Sequence, residues 1–373
     1  MRRTNHRWLT IGLLPLLGLA AVGCGDDEGT DGAHPDTSPG VTEPAGSTPA
    51  TAGGQGRDIV GLKLGYFPNV THAPAIIGLE EGIFAEAVGD GVEITPQDYN
   101  SGTEVIEALF AEDIDISFIG PNPAINGYAQ SNGEALRIVS GTTSGGASLV
   151  VRDGIDSVED LAGTTLSTPS LGNTQDVALR AWLKEQGFET DTAGGGEVSV
   201  LPQENADTLT ALQTGAIDGA WVPEPWATRL VLEGGGTVLL DEKELWPEGQ
   251  FVTTHVIVAT AFLEEHPDVV RDFLTGLADA IDVANGDATA AQTIVNDGIE
   301  EATTKRLADE TMAGAWENLE FTLDPVASSL QKSADDAVSV GLLDEVDLGG
   351  IYDLTLLNEV LAERDEDAVG GLQ

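Results

Sequence analysis

Small and polar residues gather in five loops of the sequence, and each loop follows a run of apolar residues. In the first loop, after Phe67, Thr71 or His72 stands just before a predicted helix, and Pro74 falls in the first turn of that helix. Backbone N–H groups at a helix start attract anions, and His72 adds a donor and, if protonated, a charge. The alternative is that Thr71 and His72 only cap the helix or hold the loop.

Two further loops of the first half have the same composition. Ser101, Gly102 and Thr103 stand between a predicted strand and a predicted helix, where a hydroxyl can cap the helix or hold a ligand oxygen. Asn122 occupies a predicted N-cap, with Pro123 at the first helical position. Capping alone explains Asn122, so a ligand contact there would be a second role.

The remaining two loops lie in the second half. Gly172 lets a backbone approach closely, Asn173 can cap a helix, and Asp176 follows three residues later as in a capping box. Further on, Trp221 precedes Glu224, which is held between two prolines. Trp221 or the nearby Trp226 can form an apolar wall for a ligand, or both belong to the core. Glu224 can accept from an amine or hydroxyl of a ligand, or cap the next helix.

The sequence contains none of the motifs that mark common catalytic or metal sites. Gly-x-Ser-x-Gly, the Walker loop and His-Glu-x-x-His are absent. The chain has one cysteine, Cys24, so it can form neither an internal disulfide nor a cysteine metal site. The five loops therefore indicate binding of a small molecule, with no enzyme activity and no cofactor.

The charge balance is strongly acidic, with 63 Asp and Glu against 16 Lys and Arg and a net charge of −47. Nucleic acids and anionic membrane surfaces repel such a chain, because both bind through clustered Lys and Arg. Adaptation to high salt explains the composition best, since the Debye length falls to about 3 Å at 1 M salt. A cationic partner is the alternative. The pairs Glu80–Glu81 and Asp241–Glu242 are predicted to be solvated surface.

Short apolar runs alternate with amphipathic stretches from Ile59 onward, which predicts an α/β fold with helices on the faces of parallel sheets. The order of elements in 64–84 recurs in 166–188, and the pattern around 107–123 recurs around 210–225. This self-similarity predicts two lobes of similar build, with ligands outside the carboxyl ends of the strands. The segments 148–152 and 251–260 are the predicted crossovers, and the helices after residue 260 are predicted to pack on the first lobe.

The N-terminal residues are predicted to be an export signal. Three arginines precede an apolar run too short for a good membrane span, and small residues lead into Cys24, so residues 1–23 are typical of a signal peptide with a lipobox-like end. Lipidation of Cys24 is the favoured interpretation, and a free buried cysteine is the alternative. Residues 24–57 are too poor in large apolar residues to fold and are predicted to be a flexible tether.

Four motifs resemble those of one family. They are Leu64–Ala75, Phe118–Ala124, Leu171–Asp176 and Val222–Trp226. Together they are similar to the aliphatic sulfonate, taurine and nitrate class of ABC importer substrate-binding proteins, and most similar to the actinobacterial sulfonate-type lipoproteins. The likeness covers residues 59 to about 357.

The resemblance implies a type II periplasmic-binding-protein fold, with lobe 1 formed by 58–150 and 255–373 and lobe 2 by 151–254. The implied partners are a membrane permease and its ATPase, with the receptor a monomer outside the cytoplasm. The implied ligand contacts are Phe67, Asn69, Thr71, His72, Ser101, Gly102, Thr103, Asn122, Thr143, Ser144, Gly172, Asn173, Thr174, Trp221 and Glu224.

The resemblance implies capture of a sulfonate-like solute, such as an alkanesulfonate or taurine. The candidate loops contain no arginine, and Glu224 would repel a bare anion but could meet the ammonium of taurine. The open alternatives are a receptor for nitrate, a pyrimidine or another small solute, an enzyme on the same fold (pyrimidine synthase-like or dehydratase-like), and a surface adhesin or structural lipoprotein.

Overall fold

Two β-sheets organise residues 59–372, the part of the chain that the computed structural model describes. The strands are, in chain order, β1 (Val60–Tyr66), β2 (Val92–Asp98), β3 (Ile116–Ile119), β4 (Leu136–Gly145), β5 (Ala147–Val151), β6 (Thr165–Thr168), β7 (Ser199–Pro202), β8 (Gly219–Pro223), β9 (Thr237–Asp241), β10 (Val252–Ala259) and β11 (Leu319–Phe321).

Helices cover both faces of each sheet. In chain order they are α1 (Ala73–Glu80), α2 (Ile83–Val88), α3 (Gly102–Phe110), α4 (Pro121–Gln130), α5 (Thr174–Glu185), α6 (Asn205–Thr214), α7 (Trp226–Leu232), α8 (Thr260–Glu265), α9 (Pro267–Asn285), α10 (Ala288–Thr303), α11 (Asp309–Glu317), α12 (Ala327–Ser339) and α13 (Thr355–Glu363). No helix within residues 59–372 combines the length and the apolar character needed to cross a membrane.

The two sheets repeat one topology, as the self-similarity of the sequence predicted. The first sheet has the order β11-β4-β10-β3-β1-β2 and the second has the order β7-β6-β8-β5-β9. In the first, β1 pairs in parallel with β2 and β3, and β10 runs antiparallel to β3. In the second, β6 pairs in parallel with β7 and β8, and β5 runs antiparallel to β8. Each sheet is therefore mixed. A crossover strand, β10 or β5, runs antiparallel to its neighbours, and in the first sheet the edge strand β11 is also antiparallel to β4.

The chain changes sheets at two places. The first is the junction of β4 and β5, where Gly145 (φ 77°) and Gly146 (φ 72°) both adopt the left-handed conformation that favours glycine. The second is the stretch 242–251, which contains two 3₁₀ turns, Glu242–Leu245 and Pro247–Gly249. The predicted boundary after residue 150 falls inside β5, which pairs with β8 and β9 of the second sheet.

Apolar side chains on both faces of the sheets hold the helices in place. On one face of the first sheet, the helix α9 carries Val270, Phe273, Leu274, Leu277 and Ile281 on one stripe, at the spacing of a helix face. This stripe packs against α1 and α2, as predicted for the C-terminal helices. Two of those helices also reach the second lobe, since α11 contacts α7 and α12 contacts α5.

Some predictions concern residues that the structure does not describe. The signal peptide (1–23), the lipidated Cys24 and the tether (24–57) lie outside residues 59–372. They stay predictions.

Candidate functional site

A cavity of about 40 Å³ lies between the two lobes. We call it the inner chamber. It is lined by the segments that follow the parallel strands β1, β2, β3, β6 and β7, by the last residue of β8, and by β10. The lining residues are Phe67, Asn69, Thr71, His72, Asn100, Gly120, Thr253 and Thr254 from the first lobe and Pro169, Asn173, Thr174, Gln175, Asn205 and Pro223 from the second. A buried water needs about 10–15 Å³, so the chamber has room for about three water-sized groups.

The first-lobe wall is fixed by hydrogen bonds to the backbone of its loop. The N–H of His72 donates to the carbonyl of Asn69 (2.9 Å), which closes the turn that leads into α1. Thr143 Oγ1 (2.8 Å) and Thr254 Oγ1 (3.1 Å) both donate to the carbonyl of Thr71. These bonds attach the loop to β4 and β10. Thr143 thus supports the wall and does not line it.

His72 is a neutral donor in this wall. Its ring stacks on Phe67 (centroids 4.5 Å apart), and its Nδ1 accepts from the backbone N–H of Phe67 (3.3 Å). Burial lowers the pKa of His72 to about 3, so the imidazole is uncharged at neutral pH and carries its hydrogen on Nε2. The sequence analysis allowed His72 a positive charge if protonated. This is wrong at neutral pH, because the ring is desolvated.

The second-lobe wall is the start of α5. Asn173 caps this helix, as predicted, with Oδ1 accepting from the N–H of Thr174 (3.0 Å). Asp176 accepts from the N–H of Gly172 (2.9 Å), from Thr168 Oγ1 (2.8 Å) and from the buried Arg180 (3.0 Å). The predicted capping box is therefore wrong in detail, because the carboxylate reaches Gly172 instead of the N-cap residue. The buried ion pair holds the loop so that Thr174 lies at the chamber.

Two buried polar atoms of the chamber have no hydrogen-bond partner among the described residues. They are Thr174 Oγ1 and Asn205 Oδ1. Buried polar atoms in folded proteins are nearly always paired with protein or water. Rotation of the Asn205 amide exchanges its oxygen and nitrogen, so this residue can accept or donate, and Thr174 can do both. The pair is suited to a small polar guest.

No lining residue carries a formal charge, because His72 is the single titratable side chain in the lining and is neutral. Polarity comes instead from amides, hydroxyls and the start of α5, whose dipole favours negative charge. Such a chamber can hold a weakly basic oxyanion through neutral donors.

The lobes touch on both sides of the chamber. Trp226 Nε1 donates to Asn69 Oδ1 (3.2 Å) and Asn126 Nδ2 donates to the carbonyl of Gly172 (3.4 Å). At Gly120, a Cβ atom would lie 2.7 Å from Thr174 Oγ1 across the cleft. Glycine at this position therefore permits the close approach of the two lobes.

Residues 56–296, more than half of the chain, match the model of the NMT1-like family. The chain belongs to this family. The taurine-binding periplasmic protein of Escherichia coli K12 is 28% identical over 208 residues, which cover 56% of this chain and 62% of that protein, less than two thirds of its length. A putative aliphatic sulfonates-binding protein of Bacillus subtilis 168 is 22% identical over 319 residues, covering 84% of this chain and 92% of that protein.

Solved structures show the same fold. The alkanesulfonate-binding protein from Xanthomonas axonopodis pv. citri, bound to MOPS, superposes with a TM-score of 0.66 at 17% identity over 79% of this chain and 99% of that one. The predicted α/β fold and the predicted resemblance to sulfonate- and taurine-binding proteins are confirmed. The assignment to an actinobacterial branch stays a prediction.

Of the predicted contacts of this NMT1-like protein, the inner chamber brings together Phe67, Asn69, Thr71, His72, Asn173 and Thr174. Other predicted contacts cap or pack. Ser101 caps α3 by accepting from the N–H of Glu104 (3.4 Å), Gly102 lies against the ring of Pro123, and Thr103 is exposed. The loop reaches the chamber through its preceding residue, Asn100.

Asn122 was predicted at an N-cap, and this is wrong because α4 begins at Pro121 after the N-cap residue Gly120. The buried side chain of Asn122 instead donates to the carbonyl of Ser333 (3.1 Å). Ser144 is buried within β4 and does not line the chamber, and neither does Gly172, whose carbonyl accepts from the other lobe.

Trp221 and Glu224 belong to the crossover region instead. Trp221 is fully buried, and its Nε1 donates to Glu242 (2.7 Å). Glu224 is 1% exposed and accepts from the N–H and Oγ1 of Thr228 (3.0 Å each) and from Asn318 Nδ2 (2.7 Å). The alternative that Glu224 caps the next helix is confirmed. Burial raises the pKa of Glu224, and these donors oppose the shift.

Glu242 corrects a second prediction. It was expected on the solvated surface, but it is 2% exposed and accepts from Trp221 and from Trp246 Nε1 (3.4 Å). Burial raises its pKa to about 7. The nearer donor in space, Trp221, is 21 residues away in sequence, so the local pattern around Glu242 did not indicate burial.

One chamber residue that the sequence analysis missed lies next to a strand that it did not predict. Asn205 follows β7, the short strand Ser199–Pro202, which the sequence analysis did not predict. Recognition of that strand would have pointed to Asn205, because the loops after parallel strands bind ligands. Thr253 and Thr254 lie inside β10, where no local signal separates chamber residues from core residues.

Proposed function

We propose that this protein is the solute-binding subunit of an ABC importer and that it captures a small sulfonate-like solute in the inner chamber. The observation that carries the proposal is the pair of unpartnered buried atoms, Thr174 Oγ1 and Asn205 Oδ1, in a cavity between two lobes. Two relatives are named as a taurine-binding protein and a putative aliphatic sulfonates-binding protein, which supports the same solute class. A membrane permease and its ATPase are the proposed partners.

Neutral donors suit a sulfonate. Its three oxygens share one negative charge and accept hydrogen bonds weakly but at several points, so hydroxyls, amides and helix starts satisfy them without a counter-ion. The chamber offers Thr174, His72 Nε2 and the start of α5 for this purpose. No Lys, Cys, Asp or Glu lines it within the described residues, which favours a binding role over catalysis.

The proposed location is the outer side of the cytoplasmic membrane. Residues 1–23 would direct export, Cys24 would carry a lipid, and 24–57 would tether a monomeric body. The acidic composition supports a saline habitat, where a carboxylate surface is screened. These statements rest on the sequence.

Isothermal titration of the purified protein with ethanesulfonate, nitrate and a pyrimidine tests the function. We expect ethanesulfonate to bind and the others to bind weakly or not at all. A matched glycine pair localises the site. Gly120→Ala places a methyl group against Thr174 across the cleft and should weaken ethanesulfonate by about tenfold, whereas Gly61→Ala, whose Cβ meets nothing within 4 Å, should not. Absence of sulfonate binding, with nitrate or the pyrimidine bound instead, would contradict the proposal.

A further inference from the structure

Lysine is rare in this chain and is concentrated where the two lobes meet. The sequence has 63 Asp and Glu, and its lysines are Lys63, Lys184, Lys243, Lys305 and Lys332. Lys184 lies in the last turn of α5, and Lys332 lies on α12. Lys243 lies in the second crossover, and its ammonium is beside Gly145 of the first crossover. Three of the five lysines therefore lie at the interface between the lobes.

The helix α12 is anchored in the first lobe. Leu330 and Ala334 are buried in the apolar cluster that contains Ile125 of α4. Asn122 of the same helix α4 donates to the carbonyl of Ser333 (3.1 Å). These contacts are buried, so α12 moves with the first lobe.

The helix α5 is anchored in the second lobe. Leu179, Trp182 and Leu183 are buried with Leu149 and Trp221 in the core of the second sheet. The helices α5 and α12 are in contact, although each is fixed to a different lobe. Any rotation of the lobes about the crossovers therefore moves α5 against α12.

Two lysines make polar contacts between these helices. Lys184 Nζ donates to the carbonyl of Ser339, the last residue of α12 (2.5 Å). Its ammonium thus lies at the C-terminal ends of both helices, where the helix dipole favours positive charge. Lys332 Nζ pairs with Asp336 on α12 (2.6 Å) and lies 3.9 Å from Glu185 of α5. We call Lys184 and Lys332 the interlobe lysines.

The space around Lys332 is incompletely packed. A cavity of about 60 Å³ lies between α5, α12 and the second crossover, and its lining includes Glu185, Glu242, Trp246 and Lys332. Lys332 Nζ lies 5.5 Å from the centre of the Trp246 ring. Atoms that border a cavity lack dispersion contacts on that side. The contact between α5 and α12 therefore depends strongly on its polar groups.

We propose that the interlobe lysines are positioning residues that hold the second lobe against α12 and so favour the arrangement in which the inner chamber is enclosed. Their contacts occur together with the contact of Trp226 and Asn69 across the chamber. Interactions that one arrangement makes and another lacks shift the population toward the first. Neither lysine lines the chamber, so its effect on the solute is indirect. The inference rests on the proposed function only in taking the chamber as the solute site.

Titration calorimetry on the full purified protein tests the effect on affinity. The probe is ethanesulfonate or, if that does not bind, whichever of nitrate and the pyrimidine does. Lys184→Gln and Lys332→Gln should each weaken the probe by about threefold, the size of an exposed charge contact. Lys332→Arg keeps the charge and should restore the native affinity. Lys184 does not line the cavity that Glu242 lines, so Lys184→Gln leaves the surroundings of that carboxyl unchanged.

Lys63→Gln is the matched control. Lys63 Nζ also donates to a backbone carbonyl, that of Glu112 (2.7 Å), and also lies 3.9 Å from a carboxylate, that of Asp113. All three residues belong to the first lobe, so the variant removes the same charge without changing a contact between the lobes. Its affinity for the probe should equal that of the native protein.

Salt distinguishes a charge contact from a general loss of structure. Exposed charges are screened as the Debye length falls from about 10 Å at 0.1 M salt to about 3 Å at 1 M. The difference in probe affinity between Lys184→Gln and the native protein should therefore shrink over this interval. A difference that persists unchanged at 1 M salt would contradict the assignment.

Hydrogen exchange of the ligand-free protein supplies a readout that needs no solute. If the lobes are mostly apart without solute, loss of a lysine lowers affinity. If they are mostly together, its loss exposes the chamber more often, and the backbone amides of 69–72 and 172–175 should exchange about threefold faster. One of the two measurements therefore responds in either case.

The outcomes separate the two proposals. Unchanged affinity and unchanged exchange in both glutamine variants overturn the positioning role, and so does a tighter probe or an equal loss in Lys63→Gln. If none of the three solutes binds the native protein, the proposed function fails, and hydrogen exchange alone decides the role of the lysines. Weaker binding or faster exchange in Lys184→Gln and Lys332→Gln, with Lys63→Gln and Lys332→Arg unchanged, supports the inference.

Discussion

The inner chamber and the crossover region are both polar zones at the interface of the lobes, but they satisfy their polar atoms differently. In the crossover region, Glu224 accepts three hydrogen bonds and Glu242 accepts two, all from protein groups. In the chamber, Thr174 Oγ1 and Asn205 Oδ1 have no partner among the described residues. Polar atoms with partners stabilise the fold, whereas those without partners are available to a solute.

Electrostatics separates the two zones in the same way. Burial raises the pKa of the crossover carboxyls, so desolvated acid groups accumulate where the chain passes between the sheets. The chamber excludes formal charge altogether, and burial lowers the pKa of its one titratable residue, His72. Substitutions in the crossover region should therefore change stability, and substitutions in the chamber should change affinity.

The largest expected effect is the pH dependence of stability at Glu242. The pKa of Glu242 is about 7 in the folded protein, against an ordinary value of 4.5. Its contribution to the free energy of unfolding is therefore fully present below pH 4.5 and is lost as pH rises through 7. The amide nitrogen of Glu242→Gln cannot accept from one of the two indole N–H groups, which lowers stability by an amount that does not depend on pH. Between pH 5 and pH 8, the difference in free energy of unfolding should nevertheless shift in favour of the variant by about 3 kcal/mol.

Urea unfolding at a series of pH values measures the difference in free energy of unfolding between Glu242→Gln and the native protein. The control is Glu244→Gln, an exposed neighbour, which should show no such trend. Asp241 raises and Lys332 lowers the pKa of Glu242, so both are kept unchanged. A constant difference between Glu242→Gln and the native protein would contradict the assignment of Glu242 as a desolvated acid.

A smaller effect is expected at Glu224. Glu224→Gln replaces one acceptor oxygen with an amide nitrogen that faces the donors of Thr228 or Asn318, so the free energy of unfolding should fall by about 2 kcal/mol. The ratio of taurine to ethanesulfonate affinity should stay unchanged. Glu317→Gln, exposed beside Asn318, is the control. A selective loss of taurine affinity would show that Glu224 contacts the solute.

In the chamber, Thr174→Val removes the unpartnered hydroxyl and keeps the shape of the side chain. Ethanesulfonate affinity should fall about fivefold, which corresponds to one neutral hydrogen bond of about 1 kcal/mol, and thermal stability should change little. Thr103→Val is the matched control at a predicted site residue that is exposed and does not line the inner chamber. Equal losses of ethanesulfonate affinity in Thr174→Val and Thr103→Val would contradict the assignment of the binding site to the chamber.

The smallest expected effect is that of pH on ethanesulfonate affinity, which should not change. Because the pKa of His72 is lowered to about 3, its ring stays neutral between pH 5 and 8, and ethanesulfonate is ionised throughout. Affinity measured by calorimetry at constant ionic strength should therefore not change over this interval. A steady loss of affinity from pH 6 to 8 would show that a protonated imidazole holds the solute.

The sequence predicted the fold well because local patterns determine it. Alternating apolar runs indicated β1, β3 and β10, and turn residues indicated the starts of α1 and α5. The repeated order of elements indicated two lobes. The predicted lobe boundary after residue 150 lies inside β5, whose partner β8 is distant in sequence, so no local pattern marks where this strand begins.

The site was only half predictable for a physical reason. Phe67, Asn69, Thr71 and His72 lie in one loop, so a single motif located them. Glu224 has the same type of setting, a polar residue after a strand, but its role depends on Asn318, which is 94 residues away in sequence. Local composition reports which groups are polar, and the fold decides which of them have partners.

The central claim is that the solute lies between the lobes and is held by uncharged groups. A crystal structure of the protein with ethanesulfonate tests this most directly. We predict sulfonate oxygens within hydrogen-bonding distance of Thr174 Oγ1 and Asn205, with Trp226 and Asn69 in contact across the cleft. A sulfonate bound elsewhere, or bound by an arginine or lysine side chain, would contradict the account.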